Sequence, residues 1–452
     1  MSSSKTGNLR SFYSNFKKSF DESYLFGWLF YFVVLICTAI LTDLPRFEIW
    51  KSSLVQAASG LGYGDPTYFA AAAVDVSKFG WVTQNSQWVF NLWPPGFVLL
   101  EALFLKILGV EAPIPLIFLF CSVCIFATLL MEMRRLLRNG IGSISWFLPL
   151  LIFLFPAARV FILNITGLLF GEWLAIGSFF LAAMMLLRRS RKSTVLAGFL
   201  FAISAYTRSQ YEFFLLATFL VSISLVGLVY LFKMKTRASY WEASKYLVYS
   251  LVIAQVFMAP WRVYHFANHG DPRWVFTGNY LIEASLKTDE TLNSGGAGFL
   301  TEGGINMACR LAPEHCGENS KKVYIEIFRK NAFSWILAKV QLLPKFWFAS
   351  AHNQDLTSPK SNTPLDGFLN FVFLLSVLGS LSMLWIGRKV DSIMIWAGLT
   401  LGLLAAHSAI IVFSHFEVRY FFFIKLYGLF SFMILYSEYV KSVSKRVNES
   451  VA

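Results

Sequence analysis

Charge is scarce in this 452-residue chain: only 14% of residues are Asp, Glu, Lys or Arg, against 56% hydrophobic and 17% aromatic. A globular domain carries about a quarter charged residues, and a disordered chain needs more charge and less apolar surface than this. Cysteine is scarce too, with five in the whole chain, which excludes a small disulfide scaffold. No internal repeat, low-complexity tract or soluble domain stands out. Glycine pairs occur at Ser294–Gly298 and Gly303-Gly304, but no Lys-[ST] follows them, so the expectation is a mobile loop rather than a nucleotide-binding one.

What is present is a series of charge-free apolar runs: Leu25–Thr42, Ala112–Met131, Asn139–Ala158, Trp173–Leu187, Ser193–Thr207, Phe213–Phe232, Tyr246–Trp261, Gly367–Gly387 and Ser392–Ser414. Several reach the roughly 20 residues a helix needs to cross a bilayer. The chain is therefore read as an all-α polytopic membrane protein. The net charge of +13 would suggest nucleic acid in a soluble protein, but its distribution excludes that. Short basic clusters lie between the apolar runs, at Lys17-Lys18, Arg134-Arg135 with Arg138, Arg188–Lys192, Lys233–Arg237, Arg388-Lys389 and Lys441–Arg446. Short Lys/Arg-rich loops stay in the cytoplasm.

All six clusters are inside only if an even number of crossings separates each from the next. Pro95–Gly109, with Glu101 and Lys106, and Phe333–Ala349, with Lys339, Pro344 and Lys345, are too short or too charged to span and are assigned to the outer interface. About 10 transmembrane helices remain, with interfacial helices in two large extracytoplasmic segments, 43–111 and 262–366. A cytoplasmic tail over 1–24 and another over 438–452 flank a transmembrane domain over 25–437. On this assignment the inner segments carry the entire excess of +13. The polar leader lacks a small-residue cleavage site, so the first apolar run is expected to be a retained anchor.

Cys37, Cys121 and Cys124 fall within crossings, where small apolar core positions are expected. Cys309 and Cys316 fall in the second outer segment; a disulfide between them is left open. His265 and His269, with Asp271 nearby, have a spacing that could hold a divalent metal, but ordinary hydrogen-bonding histidines are the expectation, as for His415 beside Glu417 and His352 near Asp355.

Polar residues able to do chemistry gather at the outer ends of crossings and in the outer segments, which points to a site at one membrane surface. The first outer segment reads Gly64-Asp65-Pro66-Thr67-Tyr68-Phe69 followed by four alanines, then Asn91-Leu92-Trp93-Pro94-Pro95-Gly96-Phe97. As plain chemistry Asp65 is a helix cap and Tyr68 shares a face with Ala72. Further along come Gly171-Glu172-Trp173-Leu174, Ala205-Tyr206-Thr207-Arg208-Ser209, Pro260-Trp261 with Gly270, and Glu417-Val418-Arg419-Tyr420.

This succession resembles the GT-C superfamily of integral-membrane glycosyltransferases, in particular the protein O-mannosyltransferases and the aminoarabinose transferase of lipid A. The matches run from Asp65 to Tyr420. Three positions depart from the pattern: Tyr264 and His265 stand where the family has Arg-Asn, with Arg262 two residues early, and Ser209 replaces the proline after Arg208. The resemblance implies an inverting glycosyltransferase that moves a sugar from a polyprenyl-phosphate donor to a glycolipid, polysaccharide or protein acceptor on the extracytoplasmic face, in the bacterial inner membrane. It makes Asp65 the catalytic base, with Asp43 and Asp75 as neighbouring competitors. Tyr68, Glu172, Arg208, Arg262, Arg419, Tyr420 and Lys425 become substrate-binding candidates. Bland readings exist beside these: Glu172 favoured by the helix dipole, Arg208 paired with Glu212 one turn on, and Lys425 snorkelling to the outer interface. No cofactor is implied with certainty and a divalent cation is left open. The alternative is a transporter or lipid flippase, which needs polar residues along a mid-bilayer path and no base at Asp65.

Overall fold

The computed structural model describes residues 23–62, 64–154, 156–231 and 237–269, isolated short pieces between 325 and 379, and 398–406, 423–434 and 436–437. Among these residues every regular element is helical. The helices are α1 (Tyr24–Asp43), α2 (Phe47–Trp50), α3 (Leu54–Gly60), α4 (Asp65–Phe79), α5 (Gln84–Leu92), α6 (Gly96–Leu108), α7 (Ile114–Ile141), α8 (Pro156–Leu163), α9 (Ile165–Phe170), α10 (Glu172–Leu186), α11 (Arg191–Thr207), α12 (Ser209–Leu231) and α13 (Arg237–His269). Among the described residues three stretches are long and apolar enough to cross a membrane: Tyr24–Asp43, Ile114–Arg138 and Ser244–Asn268. Glu172–Leu186 and Phe423–Ile434 are shorter apolar helices.

The pattern within α1 shows how such a helix is divided. Gly27, Tyr31, Leu35, Ala39 and Asp43 recur every fourth residue and form its buried stripe, which packs along α7. The Tyr31 hydroxyl donates to the Trp146 carbonyl at 3.0 Å, and Trp28 Nε1 donates to Thr128 Oγ1 at 3.0 Å. The other face leaves Leu25, Val33 and Leu41 open, the last 77% exposed. Apolar side chains exposed along a whole helix need a lipid solvent rather than water. Cys37 lies on that open face, so it is not a core residue; Cys121 and Cys124 on α7 are half-buried, and none of the three is in a disulfide.

Close approach elsewhere uses small residues, the usual device where hydrophobic driving force between helices is weak. A Cβ on Gly198 would lie 2.8 Å from the Ser250 carbonyl oxygen and 2.6 Å from the Ile253 side chain. That glycine lets α11 press against α13.

One expected crossing is not a continuous helix. Within 139–158, Gly142–Trp146 and Leu148–Leu154 are 3-10 segments and α8 begins only at Pro156. Pro149 and Pro156 explain the break, because each removes a backbone donor and crowds the preceding turn.

Two ionic clusters mark opposite ends of α10. Glu172 opens it, and just beyond its last residue Arg188 pairs with Glu132 of α7 at 2.7 Å, with Arg135 joining at 3.4 Å. At about 1.5 Å per residue the two ends lie roughly 24 Å apart, close to the thickness of a bilayer core.

Candidate functional site

The segment between α1 and α7 supplies five short helices, α2 to α6, and their caps follow from sequence. Ser53 and Gln56 form a capping box at α3, and Thr83 with Ser86 forms another at α5. At α4 the sequence reading fails in an instructive way. The N-cap is Gly64, in extended backbone, and Asp65 is the first helical residue. Its carboxylate instead faces Arg208 Nη1 at 3.8 Å.

Arg208 lies between two carboxylates. Its Nε and Nη2 groups both donate to Glu172 Oε1, at 2.8 and 2.6 Å. Asp65, Glu172 and Arg208 are 9%, 2% and 6% exposed. Three residues from 65, 172 and 208 in the chain thus form one buried constellation. Each sits at a helix end: Asp65 first in α4, Glu172 first in α10, Arg208 capping the C-terminus of α11. Anionic groups at helix N-termini are favoured by the helix dipole. Burying them is costly unless a cation compensates, and Arg208 is that cation.

The expected pairing of Arg208 with Glu212 does not occur. An i,i+4 pair needs both residues in one helix, and Arg208 has extended dihedrals (φ −143, ψ 128) while Glu212 is already inside α12. Glu212 instead receives Arg262 Nη2 at 2.6 Å. Arg262 therefore ties α13 to the start of α12.

The Trp93-Pro94-Pro95-Gly96-Phe97 stretch holds the two partners of Asp65 in place. A Cβ on Gly96 would lie 2.8 Å from the Tyr206 carbonyl oxygen, two residues before Arg208. Phe97 closes over Gly171, immediately before Glu172; Gly171 has φ +74, and a Cβ there would meet the Phe97 ring at 2.7 Å. Phe69 of α4 packs against Trp93 and Phe97 at centroid distances of 5.4 and 6.2 Å. The motif thus fixes α4, α10 and α11 to one another through close packing, not through polar contact. Gly96→Ala is expected to displace Arg208 and cut any activity dependent on Asp65 by about 100-fold, with a stability loss of about 1–3 kcal/mol. Steady-state rates and thermal unfolding of the purified variant check both.

Tyr68 is 36% exposed beside this constellation, 5.0 Å from Trp88 and 6.2 Å from Trp93 between ring centroids. The competing carboxylates have other work. Asp43 Oδ2 accepts from Trp50 Nε1 at 2.7 Å and from the Ile165 amide at 3.0 Å, and Oδ1 accepts from Asn164 Nδ2 at 2.9 Å. It is a saturated clasp between the end of α1 and the start of α9, which a local sequence reading could not find because its partners lie 121 and 122 residues away. Asp75 accepts through Oδ2 from the Thr83 hydroxyl.

Lys425 is 2% exposed, so it does not snorkel to a lipid-facing interface. Its helix packs through Phe423 against Tyr211, at 4.9 Å, three residues beyond Arg208. His265 is buried among Trp261 and Tyr264, and no group of three metal-ligating side chains occurs among the described residues. Arg419, Tyr420, Cys309, Cys316, Asp271, His352 and the glycine-rich loop lie outside the described residues, as does the His269 side chain.

A further acid, read in the sequence only as a charge that keeps its segment out of the bilayer, is buried. Glu101 of α6 is fully buried, with neither carboxylate oxygen hydrogen-bonded among the described residues. Burial raises its pKa well above the ordinary 4.5, so it is held neutral. Because the native state keeps a proton that the unfolded chain releases, stability falls as pH rises above about 4.5. Glu101→Gln is expected to raise the melting temperature by a few degrees near neutral pH, the gain shrinking towards pH 4.5. Thermal unfolding of both proteins across pH reads this directly.

No family model and no curated protein matches the chain. Among solved structures it is similar to the oligosaccharyltransferase AglB of the archaeon Archaeoglobus fulgidus in complex with an inhibitory peptide and a dolichol-phosphate, at 15% identity and a TM-score of 0.44, over 97% of this chain and 52% of that one. The apo form of the A. fulgidus oligosaccharyltransferase is similar at 13% identity, with the same TM-score, over 96% and 52%. The chain spans about half the length of these enzymes. A likeness at that score defines no activity, and the functional reading rests on the side chains.

Proposed function

We propose that the chain is an integral-membrane inverting glycosyltransferase of GT-C type, acting on the extracytoplasmic face and using a polyprenyl-phosphate sugar. The observation that carries this reading is the Asp65–Arg208–Glu172 constellation: a buried carboxylate aligned by an arginine that a second carboxylate anchors. Transfer from a lipid phosphate asks for little more. The acceptor hydroxyl gives its proton to Asp65 as its oxygen bonds to the anomeric carbon from the face opposite the leaving group. The bond from that carbon to the phosphate oxygen breaks, and its electron pair leaves on the phosphate. Asp65 is the general base. Arg208 and Glu172 orient it, since two hydrogen bonds to Glu172 fix the guanidinium plane that Asp65 faces.

The phosphate needs cationic stabilisation rather than an acid. Arg208 is paired with its two carboxylates and Arg262 with Glu212, so we assign that task to Lys425 and to Arg419, next to Tyr420 in the chain. Tyr68, at the open side of the constellation, contacts the sugar or acceptor. The bacterial inner membrane supplies such carriers, with the site facing the periplasm. The test is transfer from purified polyprenyl-phosphate sugars by detergent-solubilised protein, wild type against Asp65→Asn. Transfer lost in the variant alone supports the reading, and an equally active variant overturns it. Repeating the assay with a chelator decides whether a divalent cation shares the phosphate charge.

A further inference from the structure

The helix that delivers Asp65 continues along one side of an open cleft. Asp65, Tyr68, Ala72 and Asp75 follow spacings of three, four and three residues and so form a single stripe on α4. From Asp65 to Asp75 the stripe runs about 15 Å. Beside its distal part lies a cleft of about 360 Å³ between α4 and α5, lined by Tyr68, Ala72, Asp75, Lys78, Asn85 and Trp88 among others.

From this juxtaposition we infer that the cleft binds carbohydrate and receives the glycan part of an acceptor; its role in transfer rests on the function proposed above. Two aromatic rings border it, Tyr68 at 36% and Trp88 at 43% exposure, held nearly perpendicular with centroids 5.0 Å apart. Next to them stand three polar side chains of complementary type. Asp75 uses Oδ2 for Thr83, leaving Oδ1 without a partner among the described residues. Lys78 makes no ion pair there, and the Asn85 side-chain amide is likewise uncommitted. A sugar ring presents an apolar C–H face and a rim of hydroxyls, each both donor and acceptor. Aromatic faces, one acceptor-only carboxylate, one donor-only ammonium and one amide that does both match that surface. Ala72 keeps the floor low enough for a ring to enter.

Other occupants fit less well. A bilayer would accept Trp88 and Phe79 but would strip water from Asp75, Lys78 and Asn85 without replacing their hydrogen bonds. An extended peptide is recognised largely through main-chain partners, and the walls here are helices whose backbone groups are already paired within α4 and α5.

The experiment presents full-length wild type, Trp88→Ala, Lys78→Gln and Asp65→Asn, each in detergent, to a broad printed glycan array, with saturation-transfer NMR on the glycans retained. Wild type and Asp65→Asn should bind the same glycans, while Trp88→Ala weakens them about tenfold and Lys78→Gln weakens them less. Binding to no glycan overturns the inference, as does equal binding by Trp88→Ala, or quenching of Trp88 fluorescence by brominated lipids in nanodiscs. The two proposals fail separately. Asp65-dependent transfer to a peptide, untouched by Trp88→Ala, would sink this inference and leave the glycosyltransferase standing. Glycan binding by a protein without transfer activity would do the reverse.

Discussion

Replacing Asp65 by Asn is expected to slow sugar transfer by about 10²–10⁴-fold, the range that a positioned general base contributes. The amide keeps the size of the carboxyl and faces Arg208 in the same place, so donor binding and the melting temperature should barely move. That separation is the informative part. A fall in kcat with unchanged KM and unchanged unfolding assigns the lost factor to proton transfer. A fall in melting temperature of the same order as the loss in rate would make Asp65 a structural partner of Arg208 and would return the search for a base to the remaining acids. Asp43 is a poor candidate in that search, because all its hydrogen bonds go to Trp50, Asn164 and Ile165.

Removing Arg208 should have the larger effect on stability. Arg208→Gln takes away the guanidinium that the buried carboxylates of Glu172 and Asp65 both face. Breaking a buried pair in this way costs about 3–5 kcal/mol, and the variant should also lose transfer, since nothing then orients the base. The double variant Arg208→Gln with Glu172→Gln removes one of those carboxylates. It should recover much of the stability and none of the activity. Chemical denaturation of wild type, Arg208→Gln, Glu172→Gln and the double variant forms a cycle that measures the coupling. A double variant no more stable than Arg208→Gln alone would mean that the pair carries little of the energy assigned to it.

The residues that meet in the constellation stood out in the sequence, but how they meet did not. Asp65, Tyr68, Glu172 and Arg208 were singled out from short motifs, and the structure brings the three charged members together. Their connection was hidden because contacts between residues 65, 172 and 208 follow from packing, which local patterns do not encode. Where local rules were trusted for pairing they misled. Arg208 with Glu212 has helical spacing, but Arg208 sits in the extended break between α11 and α12. Asp65 has the chemistry of a cap, yet Gly64 holds the capping position and the carboxylate faces Arg208. Hydropathy over 139–158 suggested a span, while its prolines impose 3-10 turns that no hydropathy average registers. Glu101 was counted as a charge, and burial makes it behave as a neutral group.

The order of these residues along the chain has a consequence for biogenesis. Asp65 leaves the ribosome well before the arginine that orients it, and the Trp93–Phe97 stretch that will clamp that arginine comes between. Until α11 is inserted and Tyr206 has docked onto Gly96, the nascent protein carries the proposed base without Arg208 beside it. On the proposed function, maturation and chemical competence therefore arrive together, and a half-built polypeptide is expected to be inert towards lipid-linked sugars.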